Sequence, residues 1–225
     1  MSKRLLVVVD YQVDFVSGSL GFPGANHIEN IIIDTIKDHL RTDDDIVFTK
    51  DTHFENYLET LEGKHLPIIH CIKGTPGHEI YGEVKSYANR VKKVYEKHTF
   101  GSLELAADVA QERYRDITLV GLVTNICILS NALLLKAALP EANVIVLRGG
   151  VDSYDKDLRG AGGHANHHPI DKKISSPESE LFLINGAPDT TRTCDPNLRR
   201  VVLYPSELRA RNLNIILQFT NNSSH

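Results

Sequence analysis

The stretch Leu119–Val146, LVGLVTNICILSNALLLKAALPEANVIV, decides the reading of this chain. It opens as an apolar run of strand length, turns at Gly121, continues as an apolar helix and ends in a second strand, NVIV. A buried strand leading into a helix and then a further strand is the repeating unit of a parallel sheet with helical crossovers. One cysteine, Cys127, sits just past the bend.

The unit recurs on both sides. RLLVVVDYQVDF begins with the continuous apolar run Leu5–Val9 and ends in Asp10. IENIIIDTIKDHL has helical apolar spacing, DDIVFTKDTH reads as a second strand ending in charge, and HLPIIHCIKG as a short third. LELAADVAQERY reads as a helix, ITLVGLV as a fourth strand, ICILSNALLLKAAL as a helix and NVIVL as a fifth strand. Continuous apolar strands suit a sheet covered on both faces. The fold class predicted is α/β: a Rossmann-like, three-layer, doubly wound, mostly parallel sheet. Ligands of such sheets bind outside the carboxyl ends of the strands, where Asp10, Asp51, His53 and Cys127 all fall.

The bulk composition narrows the function classes. At 225 residues and a net charge of −4, the chain suits one α/β domain with a substantial core and gives no support for nucleic-acid binding. No apolar run approaches the ~18 residues of a membrane span, and MSKRLLVVVD lacks the pattern of a secretory signal. Three cysteines, Cys71, Cys127 and Cys194, make no disulfide framework. The expectation is a reduced, cytoplasmic protein acting on a small molecule, without nucleic-acid or membrane partners and with homo-oligomerisation left open.

Cys127 reads first as a small buried hydrophobe. Its place near a helix N-terminus argues for a nucleophile, because the macrodipole and free amides there stabilise a thiolate and can hold an oxyanion. Asp10, ordinarily a turn residue, could serve such a thiol as general base. Lys97 in YEKHTFGS, ordinarily solvated, could stabilise the thiolate. Asp51 and His53 stand at i and i+2 on extended chain, so both side chains can reach one metal ion. His70 at the next expected strand end could join them. Glu62 and His65 lie between, and for His65 a surface role is preferred. The HANHH run (His164, His167, His168) is a further, adventitious candidate for metal.

At these residues the chain resembles the nicotinamidase and isochorismatase-like cysteine hydrolases. The matching pieces are LLVVVDYQVDF, FTKDTHFENYLETLEGKHLPIIHCIKGTPGHEIYGEV, EKHTFGSLEL and LVGLVTNICILSNALLLKAALPEA, together spanning about residues 4 to 158. The resemblance implies a six-stranded sheet and a catalytic triad of Cys127, Asp10 and Lys97. It implies a cis peptide at Leu122–Val123, with the amides of Val123 and Cys127 facing an oxyanion. It also implies a divalent metal, zinc before manganese or iron, on Asp51, His53 and His70 with Glu62 as a further ligand, and Phe15 as the aromatic that stacks on a pyridine ring. Isochorismatases lack that metal site, so the donor set favours the nicotinamidase side. Asn125 stands where many relatives carry Asp, and there is no Trp to line the pocket.

The implied activity is a C–N bond hydrolase: a cysteine amidase converting nicotinamide, or a similar small carboxamide, to its acid and ammonia through a thioester. The alternatives are a metal-free cysteine hydrolase of the isochorismatase type and a non-catalytic remnant inactivated by its altered C-terminus. The resemblance places a hydrolase domain at residues 1–158 and an aberrant, poorly ordered tail at 159–225, with the final helix and strand lost or replaced. Codons able to specify Arg159–Gly162, shifted by one base, spell Glu-Ala-Leu, as relatives read there; this points to a frameshift near Leu158. Residues 186–210 resemble the translated reverse strand of a transfer-RNA gene. LNIILQF, near the end, is a candidate to cover the edge of strand five.

Overall fold

The computed structural model describes residues 3–154 and 181–183. They fall into two compact units, 3–55 with 70–154 and 181–183, and the insert 56–69.

The larger unit is built on one sheet. Its strands are β1 (Arg4–Val9), β2 (Asp45–Asp51), β3 (Lys93–Lys97), β4 (Asp116–Leu122), β5 (Asn143–Asp152) and β6 (Leu181–Leu183), in the spatial order β3-β2-β1-β4-β5-β6. The first five are parallel; β6 runs antiparallel against Ile145–Leu147 of β5. The helices of this unit are α1 (Val13–Val16), α2 (Glu29–Arg41), α4 (Leu103–Ala110) and α5 (Leu129–Ala138); the smaller unit contributes α3 (Leu61–His65). This is the three-layer α/β sheet expected from the sequence.

The strands alternate between two cores. Leu6 and Val8 of β1 face one apolar cluster with Ile32, Ile33 and Ile36 of α2. Leu5, Val7 and Val9 face the other, with Leu105 and Val109 of α4 and Ala132 and Leu135 of α5. Both faces are therefore apolar, which is why β1 reads as an unbroken hydrophobic run. Local signals agree with the elements. Glu29 opens α2 and His39 and Arg41 close it, matching the helix dipole. The Ser102 hydroxyl caps α4 by accepting from the Leu105 amide at 3.1 Å. In the smaller unit, Thr60 caps α3 through the Gly63 amide at 3.0 Å, and the Tyr57 hydroxyl donates to the Leu66 carbonyl at 2.9 Å.

Two expectations are corrected. HLPIIHCIKG forms no named strand; only an isolated bridge joins Ile72 to His53. Pro67 offers no amide to a ladder, and Cys71 leaves the extended conformation, with φ at +48°. The third strand is instead Lys93–Lys97 (KVYEK), at the edge of the sheet, where alternating charged residues are tolerated. The expected edge strand LNIILQF and the HANHH run lie outside the described residues. So does most of the segment 159–225, and the edge of β5 is met by Leu181–Leu183.

Candidate functional site

The strand order places β1 beside β4 at the centre, with successive crossovers leaving in opposite directions. The gap between their carboxyl ends is the topological switch point, where doubly wound sheets bind ligands. Asp10 follows β1 there, and the turn Thr124–Ile128 with Cys127 follows β4.

Close approach at this gap depends on Gly121. Its φ is +116°, and a Cβ there would stand 2.0 Å from the Val9 carbonyl oxygen, the residue before Asp10. The next peptide but one, Leu122–Val123, is cis, at the bond the resemblance implied. Asp10 itself takes the left-handed conformation, φ +46°, which Asp tolerates better than most residues.

Asp10, Lys97 and Cys127 converge in the interior. Lys97, the last residue of β3, is 4% exposed, Asp10 0% and Cys127 4%. The Lys97 Nζ lies 2.6 Å from Asp10 Oδ2 and 3.7 Å from Cys127 Sγ, and donates to the Thr99 carbonyl at 3.0 Å. Asp10 Oδ1 accepts the Thr49 hydroxyl at 2.7 Å. The charges sort by environment. Burial pushes the Asp10 carboxyl up and Asp51 adds to this, against the pull of Lys97 and Thr49. Burial alone would lower Lys97, yet Asp10 and Asp51 hold its ammonium well above the ordinary lysine value. Burial also pushes the Cys127 thiol well up; Lys97 opposes this, while the nearby Asp10 carboxyl adds to it. Burial thus opposes the thiolate that a helix N-terminus would favour, and Asp10 stands beside the thiol as the group to take its proton.

A second group adjoins the first. Asp51, His53 and His70 offer ligand atoms that all lie within 4.8 Å of one another, and all three are buried. Asp51 Oδ2 is 3.1 Å from His53 Nε2 and 3.4 Å from His70 Nε2, while Oδ1 is 3.2 Å from the Lys97 ammonium. Burial would raise the Asp51 carboxyl, but Lys97 and the two histidines hold it well below the carboxylate range. An ionised carboxylate with two imidazoles is a donor set that suits zinc and other borderline divalent ions. His70 arrives on an irregular segment, not at a strand end as expected. Glu62 belongs to α3 in the smaller unit. Phe15 is buried in α1, its ring edge-on to His70 at 5.8 Å.

Several buried polar residues were not singled out from the sequence. Gln12 clamps the backbone of Asp51, accepting from its amide at 2.7 Å and donating to its carbonyl at 2.9 Å. The Ser153 hydroxyl donates to Asn125 Oδ1 at 2.7 Å, and the Thr124 hydroxyl to the Asp152 carbonyl at 3.0 Å. These bonds tie the Cys127 turn to the end of β5, which gives Asn125 a structural task.

The fold defines a three-layer α/β protein of the isochorismatase type. The family model described as the Isochorismatase domain matches residues 4–164. The chain belongs to the isochorismatase family and is an isochorismatase-family hydrolase. A relative described as "Uncharacterized isochorismatase family protein PncA", from Bacillus subtilis strain 168, is 27% identical over 175 residues, covering 72% of this chain and 91% of the relative. The crystal structure of nicotinamidase PncA from Bacillus subtilis superposes with a TM-score of 0.60 at 24% identity, over 70% of this chain and 90% of that one. Pyrazinamidase of Pyrococcus horikoshii in complex with zinc superposes with a TM-score of 0.59 at 23% identity, over the same shares of the two chains. Among the described residues, no helix is long and apolar enough to cross a membrane.

Proposed function

We propose that this chain is a metal-dependent cysteine amidase that hydrolyses nicotinamide, or a close aromatic carboxamide, to the acid and ammonia. The observation that carries the reading is the buried cluster of thiol, carboxylate and ammonium at the switch point, with Lys97 between Asp10 and Cys127.

In this reading Asp10 takes the thiol proton, and the Lys97 ammonium stabilises the sulfur as it becomes anionic. Cys127 attacks the carboxamide carbon, and the developing oxyanion is held by the amides of Val123 and Cys127. Asp10 returns the proton to the nitrogen, the C–N bond breaks and ammonia leaves a thioester. Asp10 then accepts a proton from an attacking water, the C–S bond breaks, the acid departs and Cys127 regains its proton. Asp51, His53 and His70 would hold the metal, and Phe15 would pack against the ring of the substrate. When bound, the ion supplies a Lewis-acid anchor for orienting the substrate.

The donor set favours this reading over a metal-free hydrolase. Three buried residues, one carboxylate and two imidazoles, are an expensive arrangement to keep without an ion. The test is a panel of substrates offered to metal-loaded and chelator-treated protein. Release of ammonia from nicotinamide or pyrazinamide that falls on chelation supports the reading. Hydrolysis of a vinyl ether substrate without ammonia release, indifferent to chelation, overturns it.

A further inference from the structure

Asn131 has no part in the chemistry above, yet it is 1% exposed in the interior of α5 and uses its whole amide. Its Nδ2 donates to the Cys127 carbonyl at 2.8 Å and to the Phe100 carbonyl at 3.2 Å, and its Oδ1 accepts from the Ser102 amide at 3.0 Å. One contact is on the turn that carries the thiol. The other two are on the loop that leaves β3 just after Lys97. That loop also holds the ammonium, through the Thr99 carbonyl.

Asn is a poor choice for a helix interior on propensity alone, since its side chain competes for backbone groups. Here that competition is directed at two segments that must be held in register. The same loop lies tight against α5: a Cβ on Gly101 would meet Leu134 Cδ1 at 2.6 Å and Ser130 Cβ at 3.4 Å. The Lys97–Cys127 spacing of 3.7 Å is therefore set by a chain of contacts from Nζ through Thr99, Phe100 and Ser102 to Asn131 and back to Cys127.

We infer that Asn131 is a positioning residue that fixes the distance between the Lys97 ammonium and the Cys127 sulfur by bridging the β3–α4 loop to the Cys127 turn. The inference rests on the proposed roles of Lys97 and Cys127. It predicts that removing the amide loosens this pair more than it loosens substrate binding, because small displacements of reacting groups cost rate steeply.

The test is alkylation of Cys127 by iodoacetamide in the full-length protein, followed by peptide mass mapping, with Cys71 as the internal control. Steady-state turnover of nicotinamide and thermal melts are measured on the same samples. Asn131→Leu keeps the volume and removes every polar contact. It should melt cooperatively, alkylate about 10- to 100-fold more slowly at Cys127, and lose kcat by a similar factor with KM within about threefold. Asn131→Ala removes the same polar contacts and should act in the same direction. Leu133→Gln, on the exposed face of α5, should leave both readouts unchanged. Alkylation of folded Asn131→Leu within about twofold of the parent overturns the inference; if that variant does not fold, an unchanged rate in folded Asn131→Ala does so. Absence of nicotinamide turnover in the parent would count against the proposed substrate only, since alkylation reads the pair directly.

Discussion

Two lysines five residues apart at the edge of one sheet show how placement decides what a charge does. Lys92, just before β3, meets Asp45 at 3.0 Å, Glu112 at 2.8 Å and the Tyr114 hydroxyl at 3.1 Å. Lys97, at the end of β3, meets Asp10 at 2.6 Å and Asp51 at 3.2 Å. Each ammonium sits between two carboxylates. The Lys92 side chain is 45% exposed and that of Lys97 2%. At the amino end of the strands water screens the network, and exposed pairs of this kind contribute little. At the carboxyl end the same chemistry is shut away from water, so no member can be removed without stranding its partners. The first network decorates the fold, while the second gathers two carboxyls and a thiol around one buried ammonium.

The largest effect should come from the thiol. Cys127→Ala leaves the charges paired and should lower amide turnover by about four orders of magnitude or more, read as ammonia release, with an unchanged melt. Lys97→Met comes next, since it strands Asp10 and Asp51 together: the protein should lose about 3–5 kcal/mol of stability in denaturant titrations, along with its activity. An unchanged midpoint would erase the contrast drawn above. Asp51→Asn removes the charge from the donor set and should weaken metal binding by at least about tenfold, read by elemental analysis after dialysis; full retention would refute the site.

The amino end answers to smaller perturbations. Burial would raise the Asp44 carboxyl, but the Thr42 hydroxyl and the amide and guanidinium of Arg4 hold it down at about 2. Its folded value lies below the unfolded one, so its contribution is complete above about pH 4 and is lost as pH falls towards 2. Asp44→Asn should flatten the melting temperature over that window alone. Lys92→Ala should be the mildest change, within about 1 kcal/mol in stability and neutral in turnover.

The same contrast explains what was legible in the sequence. β1, β2 and β4 are covered on both faces, so burial writes itself as apolar runs, and Asp10 and Cys127 stand out beyond the ends of β1 and β4. β3 is an edge strand with charged residues among its apolar ones, so KVYEK carried no strand signal and Lys97 read by default as a solvated lysine. HLPIIHCIKG has strand composition, but Pro67 and the left-handed φ of Cys71 deny it a ladder. Gln12 and Asn131 were invisible for a different reason. They act on backbone groups of Asp51 and of the 100–102 loop, about 40 and 30 residues away, and no local pattern encodes such a partner. The place of Cys127 near a helix N-terminus suggested support for a thiolate, while burial, which only the packed structure reveals, works against it.

The most direct measurement is ammonia release from nicotinamide by the metal-loaded, full-length protein, beside Cys127→Ala under the same conditions. Release by the parent that vanishes in the variant is the predicted result, with Cys127 as the nucleophile of an amidase. Release of equal size in both proteins would contradict it, and a folded, metal-loaded parent that leaves nicotinamide and pyrazinamide intact would remove the proposed substrate class.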